Sequence, residues 1–213
     1  MQRTQTHSAI QWHHGGAIAG LALLLTALPA SAHHVMGGRI PSNAFEGFMS
    51  GLAHPVIGLD HLAFVVASGL VAIGTRRGWI VPVIFVLAAL GGTGLHLQSW
   101  NLPVPEVMVS GSVVLFGLLL ALGRQLPVLA LGAIALVAGI FHGYAYGESI
   151  VGAGMVPLTA YLVGFTAIQL TIALGARAVM QKLNPGSIEQ TLRYIGFAIT
   201  GAGAAFLAKA FGA

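Results

Sequence analysis

The chain has 213 residues, of which 56% are hydrophobic and 7% are charged, and its mean hydropathy is +0.88. This composition excludes an ordinary soluble domain and is typical of a membrane protein with several spans. A net charge of +4 spread along the chain does not indicate a nucleic-acid partner, and the absence of cysteine excludes disulfides, thiol catalysis and thiolate ligands.

The first 32 residues have the pattern of a cleavable signal peptide. Arg3 lies in a polar start, an apolar run covers 17–28, and small residues occupy the positions that a signal peptidase reads, at Ala30 and Ala32. The apolar run is too short to cross a bilayer comfortably, which disfavours an uncleaved anchor. Cleavage would leave a mature chain that begins at His33 and His34. Their imidazoles and the free amine could chelate a metal ion, although neighbouring histidines at a chain end are as often inert.

The segment 33–53 is expected to be periplasmic and to contain a short helix, because Asn43 and Glu46 have capping-box spacing. Pro55 interrupts the helical hydrogen-bond ladder, so we expect a kink or a restart near His54.

Six hydrophobic runs follow, each near the ~20 residues that one bilayer crossing requires. They cover 55–74, 79–98, 104–122, 127–146, 155–176 and 192–211. We therefore predict an all-α membrane protein in which a signal peptide over 1–32 and a periplasmic segment over 33–53 precede a six-helix transmembrane bundle over 54–213. The Gly-rich and Ala-rich stretches 91–94 and 201–205 are expected to serve close helix packing.

Basic residues predict the orientation of the bundle. Six of them fall in alternate connections, and only Arg39 and Lys209 fall on the other side; the six are Arg76, Arg77, Arg124, Arg177, Lys182 and Arg193. Cytoplasmic connections are enriched in Lys and Arg, so this bias places the three connections in the cytoplasm and the mature N-terminus in the periplasm. The predicted location is the bacterial inner membrane.

The stretch from His54 to Leu62 brings two imidazoles and a carboxylate into an apolar run. On a continuous helix His54 and His61 would lie on nearly the same face, whereas Asp60 would point about a third of a turn away. A lone charge at that depth is costly, so a partner from another span is expected.

Other spans offer further imidazoles and carboxylates that map to the same outer half of the bilayer. Each alone is explained as a packing or interfacial residue, but their convergence from several spans favours a metal site. Nitrogen and oxygen ligands without thiolates suit Ni²⁺, Co²⁺, Zn²⁺ or Mn²⁺ and disfavour Cu(I). The candidate ligands are His33, His34, His54, Asp60, His61, His96, Glu106, His142 and Glu148.

Transport of such an ion needs no ATPase. A divalent cation that moves inward across ~100 mV releases about 4.6 kcal/mol, twice the value for a single charge. The chain also has no Gly-rich phosphate loop, which favours a secondary transporter.

Three motifs resemble the HupE/UreJ family of small bacterial membrane proteins: His54-Pro-x-x-Gly58-x-Asp60-His61, Leu102-Pro103-x-x-Glu106 before 112–121, and His142-Gly143-x-Ala145-x-Gly147. The resemblance covers the chain from the signal peptide to about the sixth span. It implies a nickel or cobalt permease linked to metal supply for hydrogenase, urease or cobalamin. Where the family usually has a second histidine in the third motif, this chain has Tyr146, and its His33–His34 start differs from the usual alternating His-Ala start.

Tyr146 follows His142 by four residues, which places both on one helix face. A neutral phenol is a weak ligand at pH 7, so we expect its hydroxyl to bond a ligand or a metal-bound water.

Rival functions depend on other patterns. An intramembrane serine protease would need Gly-x-Ser-Gly, but Met108 and Val109 precede Ser110, and a zinc protease would need His-Glu-x-x-His, which is absent, so an enzyme is not predicted. Two alternatives stay open: a haem protein that uses a pair among His61, His96 and His142, and a non-transporting metal-binding accessory protein. A homo-oligomer is also left open.

Overall fold

The computed structural model describes residues 39–212, and all the regular elements in this range are helical. The predicted signal peptide, His33 and His34 lie outside the described residues. The helices are α1 (Ala44–Ile57), α2 (Leu59–Leu70), α3 (Ile80–Leu97), α4 (Pro105–Ala121), α5 (Val128–Gly147), α6 (Met155–Gln181) and α7 (Pro185–Ala210), with a 3-10 turn at Glu148–Ile150 after α5.

Helix α1 begins where the capping pattern predicts a helix. The Asn43 side chain accepts a hydrogen bond from the backbone N–H of Glu46 at 3.0 Å. The Glu46 carboxylate accepts in turn from the backbone N–H and the hydroxyl of Ser42, at 2.8 and 2.9 Å. These bonds satisfy backbone donors that a helix start leaves unpaired and fix the entry of the chain into the bundle.

The break after α1 lies at Gly58 and not at His54 or Pro55, so the expected position of the kink was wrong. Pro55 lies inside α1, and α1 and α2 meet at an angle of 81°. A proline φ is compatible with a helix, so Pro55 costs a hydrogen bond without ending α1. Gly58 ends it by adopting an extended conformation, with φ −72° and ψ 97°.

Four helices are long and apolar enough to cross a bilayer, namely α3, α5 together with its 3-10 turn, α6 and α7, and the bent pair α1–α2 would make a fifth. Helix α4 is apolar but has 17 residues, a length of about 26 Å against a hydrocarbon core of about 30 Å. The described part of the chain is thus a multi-pass helical membrane protein with four or five candidate spans. The six-span count stays a prediction.

The bent pair follows α6 from one end to the other. Near the start of α6, the backbone of Gly47 in α1 contacts Pro157. At the other end, the guanidinium of Arg177 donates to the carbonyl oxygen of Ala72, just beyond α2, at 2.8 Å. Pro157 and Arg177 are twenty residues apart on α6, about 30 Å of helix. Because α1 and α2 together contact α6 over this length, the bent pair is better described as a single broken crossing than as a re-entrant loop.

Two of the basic residues that were expected in connections lie inside helices: Arg177 in α6 and Arg193 in α7. The side chain of Arg177 points into the protein, where it is 7% exposed, and it also donates to the carbonyl oxygens of Ile73 and Thr75, at 3.3 and 2.8 Å. These carbonyls follow the end of α2, where helical partners run out. Arg177 therefore ties the end of α6 to the turn that carries Arg76 and Arg77.

Glycines let several pairs of helices pack backbone against backbone. A Cβ atom would collide with the facing backbone at Gly92 and Gly143 between α3 and α5, at Gly117 and Gly196 between α4 and α7, and at Gly47 and Gly51 between α1 and α6. Small residues are favoured at helix contacts in membranes because they permit this approach. The stretches 91–94 and 201–205 were expected to serve close packing, and Gly92 and Gly203 within them lie at such contacts. At Gly91, Gly94 and Gly201 no atom of a facing helix, among the described residues, lies within 4 Å of the position that a Cβ would take.

We expect Gly92→Ala to destabilise the fold and the neighbouring Gly91→Ala to leave it intact. A methyl group at position 92 would overlap the carbonyl oxygen of Ile140, whereas the same group at position 91 meets open space. Overpacking typically costs about 1–3 kcal/mol, and replacing an exposed helical glycine by alanine gains about 0.5–1 kcal/mol. Thermal unfolding of both variants in detergent measures the difference, and equal midpoints would contradict the α3–α5 packing.

Candidate metal site

Four of the sequence-predicted ligands meet at the break between α1 and α2. His54 lies near the end of α1, Asp60 and His61 lie in the first turn of α2, and His142 lies near the end of α5. These four residues are called the histidine cluster below. The three histidine side chains are buried, with exposures of 4%, 4% and 0%, in a bundle whose other core residues are mostly apolar.

The central contact is a hydrogen bond between two imidazoles. The Nδ1 atoms of His61 and His142 are 2.9 Å apart, and the ring centroids are separated by 5.0 Å. The Nε2 atom of His142 lies 2.9 Å from the hydroxyl of Ser112 in α4. Three helices thus fix the orientation of these two rings. This pairing concerns His61, and the partner that another span was expected to supply for the charge of Asp60 stays a prediction.

Asp60 lies beside His61 at the start of α2. Its Oδ1 accepts from the backbone N–H of His61 at 2.8 Å and lies 4.0 Å from His61 Nε2. The side chain of Asp60 is 21% exposed, against 5% for that of His61. The N-terminus of a helix carries a partial positive charge, which stabilises a carboxylate in this position. The start of α2 therefore gives the carboxylate local electrostatic support.

His54 reaches His61 because of the bend and not because of helical periodicity. The two ring centroids are 6.0 Å apart, but the residues lie on different helices, so the prediction that they share one helix face was wrong. The ring of His54 also contacts Tyr146 edge-on at 5.2 Å and Tyr161 at 6.4 Å. An 81° turn brings the end of one helix and the start of the next to the same point.

Tyr146 forms a wall of the cluster through its ring. The ring centroid is 4.2 Å from that of His61, whereas the hydroxyl donates to the Gln169 Oε1 atom at 3.3 Å. Gln169, which is fully buried, donates in turn to the carbonyl oxygen of Phe165 at 3.1 Å. In this structure the phenol therefore packs its ring on a histidine and bonds an amide on α6, which differs from the expected bond to a ligand.

An apolar layer closes the cluster on the side of the basic connections. Phe64, Phe85 and Phe116 are each 0% exposed, and Phe64 packs on the other two at centroid distances of 4.7 and 4.6 Å. The ring of His142 packs on this layer, with its centroid 4.6 Å from that of Phe64 and 5.4 Å from that of Phe85. An ion at the cluster could not continue in that direction unless these rings moved.

Three further predicted ligands within residues 39–212, His96, Glu106 and Glu148, lie outside the histidine cluster. His96, at the end of α3, packs against Tyr144 at 4.4 Å, and its Nδ1 is buried with no hydrogen-bond partner among the described residues. Glu106 and Glu148 are exposed. Within residues 39–212 no group of three or more His, Asp or Glu side chains is placed to hold one metal ion.

Asp60 and His61 lie close enough for a small movement to place both on one cation. With metal–oxygen and metal–nitrogen bonds of about 2.1 Å, neighbouring ligands of a tetrahedral or octahedral ion lie roughly 3.0–3.4 Å apart. Asp60 Oδ1 and His61 Nε2, which are 4.0 Å apart, would have to approach each other by about half an ångström or more. Haem is a poorer fit at His61 and His142, because their rings touch and a macrocycle would have to separate them.

Sequence reasoning missed three residues that shape the cluster: Ser112, Tyr161 and Gln169. Tyr161 donates to the carbonyl oxygen of Tyr146 at 3.2 Å, and Ser112 and Gln169 make the bonds described above. A buried amide in the apolar run 155–176 was the one available signal for Gln169. Ser112 begins the stretch 112–121 that belongs to the second motif, but its hydroxyl and that of Tyr161 do not by themselves indicate a site, because hydroxyl groups are common in membrane helices.

Comparisons with known proteins support the family resemblance. The model of the family described as HupE / UreJ protein matches residues 21–206. The chain is also 33% identical over 189 residues to Protein HupE of Rhizobium leguminosarum bv. viciae, an alignment that covers 87% of this chain and 94% of that protein. No solved structure matches the chain. With its three motifs, its multi-pass helical fold and these two matches, the chain belongs to the HupE/UreJ family.

Proposed function

We propose that this protein is a secondary transporter that carries Ni²⁺ or Co²⁺ inward across the bacterial inner membrane, with Asp60 and His61 as its central ligands. The observation that carries the proposal is the placement of a carboxylate and an imidazole 4.0 Å apart at a helix break, inside an apolar bundle. Membership of the HupE/UreJ family supports the choice of nickel or cobalt, and thereby a link to hydrogenase, urease or cobalamin metal supply.

The helix break supports a transport role. Irregular backbone at membrane depth is tolerated where protein or a water-filled cavity surrounds it, because unpaired polar groups are costly in lipid. Many secondary transporters place their substrate sites at such breaks, where half-helix ends offer charge complementarity. Here the start of α2 supports Asp60, and the carboxylate in turn attracts the cation.

The composition of the site supports a borderline divalent ion. An imidazole and a carboxylate suit Ni²⁺ and Co²⁺, and also Zn²⁺ and Mn²⁺, but not Cu(I). Water would complete the coordination of the ion. His54 and His142, whose rings lie beside that of His61, would be near enough to contact this water. In this proposal His33, His34, His96, Glu106 and Glu148 act earlier on the path, where they concentrate ions at the outer surface.

The Phe64–Phe85–Phe116 layer gives the proposed path a closed inner side. An ion that enters from the periplasm reaches the cluster first, and the three rings must move before it can leave toward the cytoplasm. The membrane potential favours this direction for a divalent cation. The proposed cycle thus needs no nucleotide, but it needs a rearrangement around α2.

We expect Asp60→Asn to abolish metal uptake nearly completely while the protein still inserts, because the substitution removes charge with little change of volume. The assay is uptake of Ni²⁺, Co²⁺, Zn²⁺ and Mn²⁺ into proteoliposomes with an imposed potential. Glu189→Gln is the matched control, since Glu189 is exposed near the start of α7, far along the chain from the cluster.

Uptake by Asp60→Asn at the wild-type rate would contradict the proposed site. Saturable metal binding without any uptake by the wild-type protein would instead support the alternative, a non-transporting accessory protein. An absorbance spectrum of the purified protein tests the haem alternative directly.

The orientation of the path is tested by single cysteines, because the chain has no native cysteine. We expect Val151→Cys, after α5, to react with an impermeant thiol reagent in intact spheroplasts, and Arg124→Cys, before α5, to react only after lysis. Both native side chains are exposed. Labelling of position 124 from outside would reverse the proposed direction.

We expect Tyr146→Phe to reduce uptake less than His142→Ala, because the phenylalanine keeps the ring that packs on His61 and loses only the bond to Gln169. Tyr146→His should strengthen metal binding by adding an imidazole beside His61, and slower release should then lower turnover. Metal affinity and initial uptake rate are measured for all three variants. If Tyr146→Phe were as damaging as His142→Ala, the hydroxyl would be essential.

A further inference from the structure

The hydroxyl of Ser112 has one hydrogen and two neighbours. Its Oγ lies 2.6 Å from the carbonyl oxygen of Val109, which can only accept. The hydroxyl hydrogen therefore belongs to that bond. The same Oγ lies 2.9 Å from His142 Nε2, and with its hydrogen already used it can only accept there. It follows that Nε2 of His142 carries a hydrogen.

The hydrogen on Nε2 of His142 determines where the hydrogen of His61 lies. His142 is fully buried and rests against Phe64 and Phe85, where a charged imidazolium would be costly, so the ring is neutral. A neutral imidazole has one N–H, and hence His142 Nδ1 accepts. Because that atom lies 2.9 Å from His61 Nδ1, the hydrogen between them belongs to His61.

The position of this hydrogen determines which nitrogen of His61 can bind a cation. With Nδ1 of His61 occupied by the bond to His142, a cation binds this ring at Nε2, the nitrogen 4.0 Å from Asp60 Oδ1. The opposite order of hydrogens would put a hydrogen on Nε2 and block coordination. The direction of a short hydrogen-bond chain thus decides whether His61 can act as a ligand beside Asp60.

We infer that Ser112 is a positioning residue for the metal site: through His142 it holds His61 in the tautomer whose Nε2 faces Asp60 and receives the metal ion. The outer partner of a metal-binding histidine commonly sets its tautomer, and loss of such a partner weakens metal affinity about 10- to 100-fold. The part of this inference that concerns affinity rests on the proposed function. The tautomer of each ring does not, and it can be measured without metal.

Two nearby substitutions separate this role from a structural one. Ser112→Thr keeps a hydroxyl, and threonine in a helix readily bonds a carbonyl one turn earlier. Ser110→Ala is the control, because Ser110 is buried on the same helix and its hydroxyl donates to the carbonyl oxygen of Glu106 at 2.6 Å. It removes the same kind of helix bond at a position two residues away.

The first measurement is ¹⁵N NMR of histidine-labelled, metal-free protein, with His61 and His142 assigned by substitution. We expect protonated Nε2 at His142 and protonated Nδ1 at His61 in the wild type, in Ser112→Thr and in Ser110→Ala. In Ser112→Ala the pattern should reverse or become mixed. An unprotonated Nε2 at His142 in the wild type would overturn the inference on its own.

The second measurement is the Kd for Ni²⁺ at the proposed site. Binding that Asp60→Asn also shows is subtracted as background. We expect Ser112→Ala to weaken Ni²⁺ binding about 10- to 100-fold, and Ser112→Thr and Ser110→Ala to stay near the wild type. Equal weakening by Ser110→Ala, or a changed tautomer with an unchanged Kd, would overturn the inference. If wild type and Asp60→Asn bound Ni²⁺ equally, the proposed function would fail, whereas the NMR result would still decide the role of Ser112.

Discussion

The break at Gly58 is the constraint on which the rest of the site depends. A continuous helix through this segment would have carried His54 and Asp60 along one apolar crossing, about 9 Å apart along the helix axis. The 81° bend gathers them at one point, where α1 ends and α2 begins. Gly58 permits this, because a Cβ atom there would lie 2.7 Å from the His61 ring and 3.3 Å from the Asp60 carboxylate. The missing side chain thus provides the room that the site uses.

Close helix packing holds the bend in place. Gly51 brings α1 onto α6 and Gly69 brings α2 onto the same helix further along, so both halves of the broken crossing rest on one continuous support. On the opposite side, Gly143 sets α5 against α3 beside His142. Since lipid tails are as apolar as the helices, such contacts and not a hydrophobic force between spans fix these positions. These backbone contacts leave α1, α2 and α5 little room to shift, and this keeps the histidine rings together.

Polarity changes abruptly across the middle of the bundle. On one side of His142 lie Ser112, His61 and Asp60, which form a connected series of polar contacts. On the other side lie three fully buried phenylalanine rings. A buried polar network is stable only when its members are satisfied, and here one imidazole links both regions. In the proposed transport cycle, an ion would stop at the cluster in this conformation, and a movement of α2, which carries both His61 and Phe64, would connect the two sides.

The sequence by itself determined the class of the protein, the positions of most helices and four of the residues that meet at the helix break, but not Ser112, Tyr161 or Gln169. Apolar runs of about 20 residues and an isolated Asp60 are readable locally, because the bilayer fixes helix length and penalises buried charge. The tertiary structure decided where the broken helix bends, since Gly58 responds to the space around His61 and not to a local propensity. It also decided that Arg177 ties two helices together, that Tyr146 bonds Gln169, and that Ser112 reaches His142. These contacts join residues up to 105 positions apart, and no local pattern encodes which distant backbone will pass close enough to complete them.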